Sequence, residues 1–332
     1  MNIATQPFFR HSVPANQLVA EHPPRLSHPN KQAIHEVACP RGTQHTGHIH
    51  ITRWPPKMLP ELMSPAADCA MIVRKAIYDY EPLRPQSMEW HVNFADRHLF
   101  AAYGSGLFAQ DEIQVAEHPA LASVLEALLA LGLPPLTSEC NRPTPILVSG
   151  AQRRCRVSIE PDADRGRPAG LYGCAFARAS ADTVRQATQR IDPPETSHIL
   201  AMSAPTGGSG VYTRNEIHRI LMTAFTGFSA AVEETARLKP EATTAVHTGF
   251  WGCGAFGGNR VLMTLLQILA ARMVPLDALI FHTVDDAGME SYQEALTWLH
   301  ALACEARGAV PTEKTIDRIH KLGFRWGICD GN

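Results

Sequence analysis

Two stretches of this chain carry residue types that could do chemistry. The first is Gln110-Asp111-Glu112, where adjacent carboxylates follow a loop of small residues. A carboxylic acid can protonate a leaving oxygen and its conjugate base can then activate water, which is the sequence of events that cleavage of a ribose glycosidic bond requires. Two neighbouring carboxyl groups also disfavour each other's ionisation, which helps to keep a proton in the pair. The bland alternative is a solvated first helical turn complementing the helix dipole. The second stretch is HTGFWGCGAFGGNR, residues 247–260, where a strand ending near His247 runs through a glycine-rich turn into a helix at about Arg260. Glycines let backbone approach closely, loop N–H groups point at an anion, and the helix N-terminus adds a favourable partial charge. A diphosphate is the natural guest of such a cradle.

Gly252, Gly254 and Gly257 also satisfy G-x-G-x-x-G, so a dinucleotide-binding oxidoreductase with Asp277 or Asp285 on the ribose is an alternative. The motif comes late in the chain, with no βαβαβ run continuing beyond it. A turn needed only for packing is the remaining option.

The spacing of the two stretches resembles the poly(ADP-ribose) glycohydrolase family. That family carries a strand ending in D-F-A-N, a triple-glycine loop, Q-E-E, and later T-G-N-W-G-C-G-A-F-G-G. This chain has Asn93-Phe94-Ala95-Asp96, then Gln110-Asp111-Glu112, then Thr248 to Gly258, where ten of the eleven residues agree and Phe250 stands for the asparagine. The likeness spans about residues 85 to 310 and takes in YTRNEIHRILMTAFTGF, similar to the family's long helix between the motifs. It implies a macrodomain-like fold, a mixed sheet flanked by helices, with ADP-ribose or an ADP-ribosylated protein as partner, and hydrolysis without a metal or redox cofactor. By the same likeness Glu112 corresponds to the catalytic glutamate, Asp111 to its ribose-contacting neighbour, and Asp96 to an asparagine near the scissile sugar. Gln110 belongs to the same motif, while Gly252, Gly254, Ala255, Phe256 and Gly257 correspond to the diphosphate loop and the aromatic residue beside the distal ribose. Tyr172 is placed where a tyrosine covers the ligand.

The chain departs from the family in three places. The triple glycine is Phe100-Ala101-Ala102, so Gly104 and Gly106 are expected to supply the missing cradle. Phe250 removes a polar contact, and Asp96 brings negative charge near a diphosphate, with Arg97 as its expected partner. These changes favour a specialised hydrolase acting on mono-ADP-ribosylated protein over a polymer-degrading enzyme, and they keep open a reader that binds ADP-ribose without cleaving it.

Other constellations carry less. His45, His48 and His50 have spacings a metal could use, but no carboxylate or cysteine adjoins them, and a structural zinc site wants four ligands. Ser209, between glycines, lacks a strand-to-helix elbow. Eight scattered cysteines without a C-x-x-C pair argue against a zinc ribbon or disulfide scaffold.

The elements that must position these residues read as alternating strands and helices from Glu89 onward. Strands are expected at MEWHVNF, TPILVSG, RCRVSI, LYGCAFARA, SHILAMSA, ATTAVHT and DALIFHTV. Helices are expected at Pro119 to Leu131, Arg214 to Leu238, Arg260 to Met273 and Met289 to Arg307, with PDADRGRPAG as a loop. Residues 1–60, rich in Pro and His without sustained periodicity, read as an arm or irregular extension preceding a glycohydrolase-like domain over 61–332. At 332 residues and 45% hydrophobic content the chain can bury an extensive core. Thirty basic against 32 acidic residues give no reason to expect nucleic acid as a partner, and no apolar run reaches membrane-spanning length, so a cytoplasmic protein is expected.

Overall fold

The computed structural model describes residues 6–65, 67, 69–204, 207–306 and 308–328. The first elements are β1 (Phe9–Pro14), α1 (Ala15–Glu21), α2 (Pro29–Ala38), β2 (His48–Arg53), β3 (Leu62–Met63), β4 (Ala70–Arg74) and β5 (Ser87–Ala95). There follow α3 (Gln110–Glu117), α4 (Ala120–Ala130), β6 (Ser138–Glu139), β7 (Arg142–Pro143), β8 (Ile146–Val157), α5 (Ala175–Arg178), α6 (Ala181–Ala187) and β9 (Thr188–Ser203). The last are α7 (Arg214–Leu238), β10 (Thr243–Thr248), α8 (Arg260–Ala271), β11 (Ala278–His282), α9 (Asp286–Ala306), β12 (Val310–Pro311) and α10 (Thr312–Lys321).

Eight strands form one mixed sheet in the order β1-β2-β8-β9-β5-β10-β11-β4. From β9 to β4 the neighbours run parallel, and β8, β2 and β1 add an antiparallel wing. Helices cover both faces: α7, α8 and α9 pack over one large core with Trp90, Phe228 and Phe281, while α1 and α4 cover a second with Ile49, Phe100 and Leu121. Strands buried on both sides read as near-continuous apolar runs, which is why β10 and β11 were legible without clean alternation. Among the described residues no helix is long and apolar enough to cross a membrane.

Three expectations change. LYGCAFARA is no strand: Gly170 and Gly173 take positive φ, the chain turns, and α5 buries Phe176 on the ring of Phe108 at 4.1 Å. RCRVSI is not separate, since β8 runs unbroken through Val157, bent by register shifts opposite β9. Residues 9–53, expected to be irregular, carry two strands and two helices. β1 and β2 extend the main sheet, and α2 packs against α6, β8 and β9. Their short elements, separated by Pro and His runs, are below the length at which periodicity shows.

Candidate functional site

β9, β5 and β10 run side by side in the same direction, so the loops after them leave from one edge of the sheet. Ligands in open α/β sheets lodge outside that carboxyl edge. Phe94, near the end of β5, is the joint on which the two chemical segments meet. Its backbone N–H donates to Gln110 Oε1 at 2.7 Å, while Gln110 Nε2 donates to the Val92 carbonyl at 3.1 Å, clamping the start of α3 onto the strand. On its other side the Phe94 ring lies within 3.5 Å of where a Cβ on Gly249 would stand.

The carboxylates sit in the first turn of α3, and both are withdrawn from solvent, Asp111 at 7% and Glu112 at 4% exposure. Glu112 closes the helix start by accepting the Ala109 N–H at 3.0 Å. Asp111 Oδ1 accepts from Asn93 Nδ2 at 3.0 Å. Burial, then the charge of Glu112, pushes the Asp111 carboxyl up to about 8, against the opposing pull of Asn93 and Lys31. Asp111 therefore holds its proton near neutral pH. Asn93 Oδ1 is itself buried without a partner.

Lys31, on α2, escaped the sequence reading. Its ammonium donates to the Tyr103 carbonyl at 2.8 Å and lies 5.2 Å and 5.7 Å from the ring centroids of Phe108 and Phe176. Burial brings its pKa down to about 8, with Glu112 and then Asp111 opposing that fall. The one available signal was a lysine on the inward face of a short helix, between Asn30 and Ala33, which are also buried.

The glycine turn follows β10. Gly252 has φ +75°, and a Cβ there would stand 2.4 Å from that of Ala204, so only glycine fits. Trp251 is fully buried and donates its indole N–H to the Met202 carbonyl at 3.0 Å, fastening the turn to the end of β9. Gly254 is half-buried, Ala255 exposed, and Phe256 half-buried against the main core. Asn259 caps α8 through Leu262 N–H. The chain's last described segment, which was not anticipated, braces this turn: Gly327 N–H donates to the Gly257 carbonyl at 2.8 Å, and Trp326 stacks on Tyr212 at 4.2 Å.

The departures from the family pattern resolve physically. Phe100 keeps a left-handed φ of +52°, a backbone conformation suited to glycine, while its ring turns fully into the core. Gly104 and Gly106 are taken up by packing. A Cβ on Gly104 would lie 2.5 Å from the Arg25 carbonyl oxygen, and one on Gly106 3.0 Å from His28 and Ala177. The Gly104 carbonyl accepts from Ser27 and His28 N–H, so this loop seats residues 25–28. Phe250 packs edge-on to Phe281 at 5.3 Å beneath the Arg260 guanidinium. Asp96, half-exposed, accepts the His98 N–H at 3.1 Å, so His98 holds the position expected of Arg97. Tyr172 is 41% exposed on a turn tied to the carboxylate loop by Gly173 N–H donating to the Phe108 carbonyl at 2.9 Å.

The alternatives lose their geometry. Asp277 pairs with Arg84 at 3.1 Å just before β11, at the opposite sheet edge from the glycine turn. Asp285 accepts the Gly288 N–H at 2.7 Å in its own helix start. His48 and His50 stack on β2, His45 lies apart under the field of Arg154, and no group of three metal-ligating residues exists among the described residues. Seven cysteines are free thiols, and Cys329 lies outside the described residues.

A family model described as poly(ADP-ribose) glycohydrolase with a macro domain fold matches residues 84–291, more than half of the chain. Among solved structures the chain is similar to a poly(ADP-ribose) glycohydrolase from Thermomonospora curvata at 15% identity, covering 84% of this chain and 88% of that one, with a TM-score of 0.44. The same enzyme bound to the inhibitor ADP-HPD is matched at 15% identity over 86% and 97%, TM-score 0.44. A Deinococcus radiodurans enzyme in complex with ADP-ribose is matched at 14% identity over 85% and 97%, TM-score 0.43.

Proposed function

Because the chain belongs to the poly(ADP-ribose) glycohydrolase family, we propose that it hydrolyses the ribose glycosidic bond of ADP-ribose polymers or ADP-ribosylated protein, with Glu112 as acid and base. The observation that carries the reading is that Phe94, whose N–H clamps Gln110, also stands beside Gly249 at the head of the glycine turn, so that the buried carboxylates and that turn lie at one sheet edge. The turn from Gly252 to Gly257 takes the diphosphate on backbone N–H groups. The distal ribose then lies toward α3, with Phe256 and Tyr172 bounding it. Glu112 protonates the leaving oxygen as the anomeric carbon gains oxocarbenium character, and its carboxylate then takes a proton from the attacking water. Burial keeps a proton on the Asp111–Glu112 pair; Glu112 carries it to the leaving oxygen, while Asp111 accepts a hydrogen bond from a ribose hydroxyl and Asn93 holds its other oxygen.

Incubation of the full chain with poly(ADP-ribose) and, separately, with mono-ADP-ribosylated protein tests this by chromatography of free ADP-ribose. Release from either substrate supports hydrolysis. Saturable binding of ADP-ribose with no release from either would overturn it in favour of a reader.

A further inference from the structure

Behind α2, away from the carboxylates, the loop 40–46 and strands β8 and β9 enclose a pocket of about 310 Å³. Arg41, Arg154 and Arg190 line it together with Gln44 and Gln152. Arg154 is the unusual member. It is 5% exposed, yet among the described residues it has no carboxylate within ion-pair distance. Its terminal nitrogen donates to the Gln44 carbonyl and to Gln152 Oε1, both neutral acceptors, and its buried Nε has no partner among the described residues. A buried guanidinium with no carboxylate in contact is costly to fold around, and Asp192 offsets that cost only from a distance. The single carboxylate on the rim, Asp192, is already paired with Arg190 at 3.2 Å and is 68% exposed.

The neighbours lie in the same cationic field, which Asp192 offsets only in part. His45 Nδ1 is buried without a partner among the described residues, and burial, then Arg154, then His35, bring its pKa down to about 4, so it stays neutral. Burial pushes the thiol of Cys39, one residue past the end of α2, up to about 11, and Arg154 and Arg190 oppose that rise only in part. Three guanidiniums and two amides against one carboxylate, itself paired with Arg190, give a recess whose lining is cationic and polar. Guanidinium forks match phosphate oxygens in geometry and stay charged at every physiological pH.

We infer that this pocket is a second anion site, taking a phosphoryl or diphosphate group on Arg41, Arg154 and Arg190. It is separate from the glycine turn but linked to the carboxylates by α2, since Lys31 beside them and Cys39 beside the pocket are eight residues apart, about 12 Å along a helix. One chemistry has two sources here: a further diphosphate along an ADP-ribose chain, or a free phosphate compound. The first source rests on the proposed reaction; the site itself does not.

The test is calorimetric titration of inorganic pyrophosphate into the full chain already saturated with ADP-ribose, which occupies the glycine turn. Wild type is expected to bind further pyrophosphate, Arg154→Met to lose that binding, and the exposed pair Arg41→Gln/Arg190→Gln to weaken it at least tenfold. The double variant keeps the test decisive should Arg154→Met fail to fold. No pyrophosphate binding dependent on Arg154 in wild type, with or without ADP-ribose present, or unchanged binding by the double variant, overturns the site. A second arm measures ADP-ribose release by the double variant. A raised KM on polymer with unchanged release from mono-modified protein identifies the chain as the source; unchanged KM on both, with pyrophosphate binding lost, identifies a free phosphate. Failure of release by wild type as well would count against the proposed reaction and leave the calorimetric result standing.

Discussion

Glu112→Gln separates chemistry from architecture better than any other change at this site. Glu112 has two jobs: its Oε2 accepts the Ala109 N–H at 3.0 Å, and its carboxyl group is the proposed proton carrier. Glutamine retains an oxygen for the first job and abolishes the second, because an amide neither gives nor takes a proton at neutral pH. Loss of acid–base catalysis costs about 10²- to 10⁴-fold, which is roughly 2.7 to 5.4 kcal/mol of barrier at 1.36 kcal/mol per tenfold. The folded state should hardly change. Glu112→Ala loses the cap as well, which costs about 0.5–2 kcal/mol and, at roughly 2–4 °C per kcal/mol, lowers Tm by a few degrees. The assay pairs initial rates of ADP-ribose release with calorimetric Tm for wild type and both variants. The expected pattern is a large rate loss in both, with Tm unmoved in Glu112→Gln and lowered in Glu112→Ala. A Glu112→Gln protein retaining more than a tenth of wild-type kcat would refute the assignment of Glu112 as acid and base. A rate loss that merely tracked a fall in Tm would refute it equally.

Other outcomes follow from the same geometry. Asp111, pushed up to about 8 by burial and then Glu112, keeps its proton in the folded state after the unfolded chain has released it near pH 4, so this group makes stability fall as pH rises from about 4 to 8. Asp111→Asn should flatten the Tm-against-pH curve across that window, and identical slopes would contradict the placement. Lys31→Met removes a charge that holds the Asp111 pKa down, so the ionisation of Asp111 should move to higher pH, seen as an alkaline shift of the pH–rate profile; an unmoved profile would disconnect Lys31 from the pair. Gly252→Ala forces a Cβ to 2.4 Å from Ala204 at φ +75°, and a loss of about 1–3 kcal/mol in urea unfolding together with weaker ADP-ribose binding is expected. Gly104→Ala drives the Arg25 carbonyl away, so limited proteolysis should cut near residues 25–28 faster than in wild type.

The sequence by itself determined the mixed α/β class, the long helix Arg214–Leu238, and both chemical segments, because each depends on local rules. Helical period, buried parallel strands and a glycine turn between strand and helix are written within a dozen residues of one another. Asp111 and Glu112 were legible as a pair for the same reason. Only the tertiary structure decided what surrounds them. Lys31 lies eighty residues upstream of that pair in sequence, and no local pattern marks a lysine that α2 carries into their field. Asn93 reads as one more strand residue until β5 and α3 are brought together. Gly104 and Gly106 read as spare cradle glycines, and proved to be where residues 25–28 and the α5 region come closest. The first sixty residues look irregular because strands of six residues are stable only in a sheet they do not themselves contain; β2 needs β8, almost a hundred residues later, to exist at all. Long-range pairing is a property of the folded chain, and it is there that the neighbours of the carboxylates and the arginines of the second pocket are set.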